Sequence, residues 1–204
     1  MYHPSVSIIA TRSTQPGPIL PRRFYNRPAV EVARDLLGKV LVHGPTGGII
    51  VETEAYLGLK DAASHAYCGM TQRNKVMFGP PGFAYVYFIY GMYECVNVVA
   101  EPEGYAGAVL IRAVEPLLGV ELMKIRRPGA KRLRDVASGP GKLTIALGIT
   151  RALNGADVTK GSLVVWDRRP VEKFDIVAGP RIGITKNPNW PLRFTIAGSE
   201  FVSR

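Results

Sequence analysis

The feature that most constrains this chain is the spacing of its strand-forming runs. Residues 39–43, 48–56, 83–88, 92–100, 107–114, 162–166 and 194–197 are each short and rich in branched or aromatic side chains, which favour pleated backbone. Helical periodicity is confined to three stretches between them. Val30, Ala33, Leu36 and Leu37 recur at helical spacing behind Pro28 and before Gly38, a helix with its start and stop. Residues 117–125 place Leu118, Leu122 and Ile125 on one face, and residues 142–149 follow a Ser138-Gly139-Pro140-Gly141 turn. Ile89-Tyr90-Gly91 between two strand runs predicts a hairpin. Strands and helices do not alternate regularly, and no glycine-rich phosphate loop follows a strand. The pattern predicts an α+β fold: a single mixed domain with a central, mainly antiparallel sheet flanked by helices.

Charge narrows the partners. The 204 residues hold 26 Lys or Arg against 16 Asp or Glu, a formal net charge of +10. Such an excess suits a polyanion, nucleic acid ahead of an anionic membrane surface. Lys124, Arg126, Arg127, Lys131, Arg132 and Arg134 crowd into one stretch that is either a solvated face or a track for phosphates. No apolar run approaches the roughly 20 residues of a membrane span. Cys68 and Cys95 form no CxxC pair, and His3, His43 and His65 show no ligand spacing, so no metal site is expected. The cysteines are expected as free thiols, with one disulfide as the alternative. Residues 1–20 lack acidic side chains and contain Pro4, Pro16 and Pro18. They read as a flexible leader, or alternatively an organellar address, ahead of a domain over 21–204.

Candidate chemistry begins at Val51-Glu52-Thr53-Glu54-Ala55-Tyr56. Side chains alternate along a strand. Val51, Thr53 and Ala55 are therefore expected toward the core, with Glu52, Glu54 and Tyr56 together on the other face, which is either solvated or functional. In the run from Phe83 to Tyr93, Tyr85 and Tyr87 share a face and Tyr90 occupies the turn. Such rings fill cores, stack on bases or, at a tip, wedge into a base stack. Asn97 and Arg112 interrupt branched runs. Each needs a partner, because an unpaired buried polar group costs about 1–3 kcal/mol. A pocket would use Asn97 to read a base edge and Arg112 to complement a carboxylate.

These residues form a recognisable pattern. The segments VETEAYLG (51–58), His65, Arg73-Asn74, YVYFIYGMYECVN (85–97), LIRAVEP (110–116), SGPGKL (138–143) and PLRF (191–194) resemble, in order, the alkyladenine or 3-methyladenine DNA glycosylase family. The resemblance runs from about residue 21 to 204. It implies a monofunctional base-excision enzyme with neither metal nor organic cofactor. It makes Glu54 the base that deprotonates water and Arg112 the residue that helps hold that water. Tyr56 would stack on one side of a flipped base, His65 and Tyr87 on the other. Tyr90 would fill the gap left in the duplex, beside Met92 and Tyr93. Asn97 would disfavour guanine's exocyclic amine, and Arg73, Asn74 and Lys142 would lie near the DNA. The implied partner is double-stranded DNA containing damaged purines, with no membrane, no obligate protein partner and a monomeric state. For a bacterial chain the implied location is the cytoplasm at the nucleoid, with organellar or nuclear placement left open by the acid-poor leader. No lysine matches a family nucleophile, which implies base removal without strand cleavage. The 65–73 loop is about one residue shorter than in family members, and 186–190 diverges. The competing reading is a module that binds and kinks DNA without chemistry.

Overall fold

The computed structural model describes residues 17–89, 91–168 and 173–203. Most of the expected leader, and Tyr90, expected in the turn, lie outside the described residues.

One antiparallel sheet organises the domain. Its strands are β1 (Val40–His43), β2 (Thr46–Leu57), β3 (Ala84–Ile89), β4 (Tyr93–Ala100), β5 (Gly107–Leu118), β6 (Leu163–Trp166), β7 (Ile176–Gly179) and β8 (Arg193–Ile196). The strands lie in the order β3-β4-β5-β2-β1-β6, and β8 pairs both β2 and β7. Central β2 runs one edge along β5 and divides the other between β1 and β8. Among the described residues four α-helices complete the fold: α1 (Arg22–Tyr25), α2 (Ala29–Asp35), α3 (Val120–Arg126) and α4 (Pro140–Leu147). This is the expected α+β architecture.

Cross-strand partners share a face, and the register sorts the residues of β2 to β5 into two layers. Ala55, Val109, Ile111, Val98, Val96, Val86 and Ala84 face the main core, with Val32, Ala33 and Leu36 from the α2 segment and Leu143, Ala146 and Leu147 from α4. On the other face Tyr56 pairs with Ala108, Glu54 with Leu110, Leu110 with Asn97, Asn97 with Tyr85 and Cys95 with Tyr87. The β2–β5 ladder shifts register once at its start, between Gly47 and Gly48, and then again beside Glu52. There Val51 of β2 and Arg112 of β5 each lack a cross-strand partner, and register shifts lie on both sides of Glu52. Bulges of this kind re-aim side chains.

One expected helix is displaced. Strand β5 continues through Leu118, which pairs with Gly47, and α3 starts only at Val120. Gly119, left-handed at φ 61°, makes the break, so sheet pairing overrides the helical periodicity of 117–119. Met123 is the buried residue of α3, whereas Ile125, expected on the inner face, is 73% exposed. Strand β7 was not anticipated. It is a short, partly exposed edge paired only with β8.

Where β2 ends, the chain turns at Gly58, with φ 58°. A Cβ there would stand 2.2 Å from the Tyr105 carbonyl oxygen. Gly58→Ala adds a backbone overlap to a left-handed cost of about 1–2 kcal/mol. It is expected to lower stability by at least about 2 kcal/mol, read from chemical denaturation. An unchanged midpoint would refute the close packing of this turn.

Candidate active site

A cavity of about 690 Å³ opens on the second face of the sheet. Its sheet-borne walls are Tyr56, Tyr85, Tyr87, Cys95, Asn97, Ala108, Leu110 and Arg112, and loops 62–65, 138–142 and 182–186 close it. Strand alternation explains this set: its members come from one face of the four adjacent strands β3, β4, β5 and β2.

Glu54 lies just behind this wall, fully buried. Its Oε1 accepts the Ile182 N–H at 2.8 Å and faces Arg112 Nη1 at 3.2 Å. Its Oε2 accepts the Tyr56 hydroxyl at 2.9 Å. Tyr56, Arg112 and Ile182 all line the cavity, so the carboxylate stands one hydrogen bond from it. Glu52, on the same face, is also fully buried. It accepts from Arg112 Nε at 2.8 Å, Arg193 Nε at 2.7 Å, and the Ser203 N–H and hydroxyl at 2.6 and 2.8 Å. Burial would push this carboxyl up, but Arg112, Ser203 and Arg193 outweigh it and hold Glu52 below the usual range. The face carrying both carboxylates is therefore not solvated: β5 and β8 flank it, and Ile182 and Ser203 cover it. Arg112, sitting in its bulge, serves both carboxylates at once.

The ring wall is tightly knit. His65 and Tyr87 meet edge-to-face with centroids 4.5 Å apart, and His65 Nδ1 hydrogen-bonds the Tyr85 hydroxyl at 3.0 Å. Burial, with Arg73 nearby, lowers the His65 pKa, leaving a neutral imidazole at physiological pH. Burial likewise pushes the Tyr56 and Tyr87 phenols far above their ordinary range, helped by Glu54 and Cys95 respectively. Cys95 itself rises to about 11 through burial, so it is a thiol, not a thiolate. Asn97 donates to the Tyr85 carbonyl at 3.1 Å while lining the cavity. Both cysteines are free.

The residues expected near DNA separate into two groups. Met92 and Tyr93 are exposed at the hairpin tip, and Arg73 is exposed with its guanidinium over the Tyr87 ring. Lys142 is exposed in the first turn of α4 and borders the cavity. Asn74 is set apart from these. It is buried, and its amide donates to the His65 and Gly69 carbonyls and accepts from the Thr71 N–H, so it holds the loop that presents His65. Much of the basic stretch is paired within the chain. Lys124, Arg132 and Arg134 pair with Glu121, Asp135 and Glu200, and Arg126 donates to the Ala146 carbonyl. No group of three or more potential metal ligands occurs among the described residues, and no described helix is long and apolar enough to cross a membrane.

Sequence reading missed Asp61, Arg181, Ile182 and Ser203. Ile182 acts through its backbone, and the others are separated from their partners by 91 to 151 residues, so no local pattern marks them.

Aromatic walls with the carboxylates held behind them and basic side chains at the margin suit a protein that takes up a flat aromatic group. The chain belongs to the methylpurine-DNA glycosylase family, whose model matches residues 23–200. It is 56% identical to a protein of Methanocella arvoryzae named "Putative 3-methyladenine DNA glycosylase", over 92% of this chain and 96% of that one. Proteins of the same name from Rhodopseudomonas palustris (strain ATCC BAA-98 / CGA009) and Methanoculleus marisnigri are each 53% identical. They cover 92% and 91% of this chain, and 89% and 98% of their own lengths. It is accordingly a DNA glycosylase acting in the repair of alkylated bases.

Proposed function

We propose that this glycosylase flips alkylated or deaminated purines out of duplex DNA and hydrolyses the N-glycosidic bond with water activated by Glu54, without cutting the strand. The observation that carries this reading is a buried carboxylate, contacted only by donors, directly behind an aromatic cavity. Chemistry on a paired base requires extrusion, which costs a few kcal/mol and least for damaged bases. Tyr56 and the His65–Tyr87 pair then clamp the base, and rings without positive charge favour a cationic alkylpurine. Asn97 reads the purine edge. Tyr90, Met92 and Tyr93 occupy the gap in the duplex, and Arg73 and Lys142 flank the phosphates.

In the chemical step the bond between C1′ and the base nitrogen breaks, and its electron pair leaves with the base. Water oxygen bonds to C1′, and the water proton passes to Glu54. A cationic alkylpurine departs neutral, whereas hypoxanthine departs neutral only by taking up a proton from solvent at a ring nitrogen. Arg112 and the Ile182 N–H fix Glu54 Oε1 and leave Oε2 with the exchangeable Tyr56 hydroxyl contact. Since Glu54 has no exposed surface, water enters at the seam between Tyr56 and Arg112. Catalytic contacts that tighten only in the complex are common. One carboxylate with water implies single displacement, unlike the two-carboxylate retaining enzymes. A module that only binds DNA gains nothing from burying a carboxylate behind its pocket.

The test is a panel of duplexes carrying 3-methyladenine, 7-methylguanine, hypoxanthine or ethenoadenine. Free base and an intact strand with an abasic site are expected. A borohydride-trapped protein–DNA adduct, or no base release from any alkylated duplex, would overturn the reading.

A further inference from the structure

We infer that the buried Asp61–Arg181 ion pair is a positioning element of the active site, fixing the Tyr56 ring and the Ile182 amide against Glu54; this rests on the catalytic reading of Glu54. Both side chains are fully buried. Arg181 Nη1 and Nη2 grip the two Asp61 oxygens, the second at 2.9 Å. Nη1 also donates at 3.0 Å to the carbonyl of Ala55, the residue between Glu54 and Tyr56. The guanidinium carbon lies 4.5 Å from the Tyr56 ring centroid.

Two of the donors that reach Glu54 therefore depend on Arg181. Tyr56, which donates to Oε2, rests on the guanidinium, and Ile182, which donates to Oε1, is its neighbour in the chain. Asp61 extends the same grip to the opposite wall. It accepts the Ala63 N–H at 3.1 Å in the loop that carries His65, and Asn187 Nδ2 at 3.2 Å beyond the 182–186 loop. A single ion pair thus ties β2 and two cavity-lining loops into one body. Stability is a poor reason for such a pair, since buried ion pairs rarely outperform apolar packing. Orientation is a better one, because misplacing a catalytic group by about 1 Å costs about 100-fold in rate.

Arg181→Lys keeps the charge but loses the planar fork and the flat stack on Tyr56, and Asp61→Asn keeps shape while removing the counter-charge. In the full chain, single-turnover excision of hypoxanthine should fall about 10- to 100-fold in each. Affinity for a duplex with a tetrahydrofuran abasic analogue should change less than about threefold, an effect under about 0.7 kcal/mol at 1.4 kcal/mol per decade. The melting transition should remain cooperative. Wild-type rates in both variants, or rate losses matched by equal losses of binding or folded fraction, would overturn the inference. If Asp61→Asn does not fold, Arg181→Lys decides the matter. An active Glu54→Gln would remove the catalytic reading and this pair's role with it. An inactive Glu54→Gln beside wild-type rates for Arg181→Lys and Asp61→Asn would overturn the pair's role alone.

Discussion

Glu54→Gln is expected to slow base excision by about 10²–10⁴-fold, the range for removing a general base, while lesion-duplex binding persists. The substitution is nearly isosteric. The glutamine oxygen can still accept from the Ile182 N–H, and its amide can donate to the Tyr56 oxygen. The ring wall should therefore stand; the substitution removes the acceptor for the water proton and weakens the contact with Arg112, which keeps Glu52 as its second carboxylate. Single-turnover release of hypoxanthine measures the rate, and fluorescence anisotropy with a lesion duplex measures binding. Excision at the wild-type rate would end the assignment of Glu54 as the base.

Glu52→Gln should act on the fold more than on the chemistry. Glu52 neutralises Arg112 and Arg193 in a buried setting. Removing one partner of a buried pair costs about 3–5 kcal/mol. For a chain of this size that corresponds to a fall of roughly 6–20 °C in Tm. The acid limb should change as well. Glu52 is held below its ordinary pKa against the upward push of burial, by Arg112, Ser203 and Arg193. Asp61 is lowered in the same way, mainly by Arg181. A depressed folded-state pKa means that the unfolded chain takes up protons first as the pH drops. The stabilisation is therefore complete above about pH 4–4.5, the ordinary carboxyl range, and disappears as pH falls through the lower folded-state values. Wild-type Tm should hold above that range and drop below it, and Glu52→Gln should drop less steeply. Thermal melts across pH check both points. A Tm within about 2 °C of wild type at neutral pH would show that Glu52 is not the charge partner the contacts imply.

Much of the sheet was legible in the sequence because period-two alternation is a local signal. It grouped Glu52, Glu54 and Tyr56, and it grouped Tyr85 with Tyr87, as the structure does. Alternation could not say whether that second face was wet, since the answer depends on Ile182 and Ser203 arriving from far along the chain. The same limit hid Asp61 and Arg181, whose pairing spans 120 residues. The helix expected over 117–125 failed differently. There, Leu118 answered to its partner across the sheet rather than to its own periodicity. Asn74 groups with the residues near DNA by position, yet its amide donors go to the His65 and Gly69 carbonyls while its oxygen accepts from the Thr71 N–H.

The paired bulges beside Glu52 carry one more consequence. The extra residue on β2, Val51, is matched by an extra residue on β5, Arg112, so the ladder returns to phase within three residues. Deleting either one alone would leave the remainder of its strand one step out, and a one-step slip turns every side chain to the opposite face. Glu54 and Tyr56 would then point into the apolar core, or Leu110 and Ala108 would leave the cavity. The two positions are coupled: a one-residue insertion or deletion at either alone breaks the register, whereas insertions matched in both strands restore the phase and keep Arg112 beside its carboxylates. In this strand pair, length variation among relatives is expected to be correlated across the ladder, like two teeth on meshed gears.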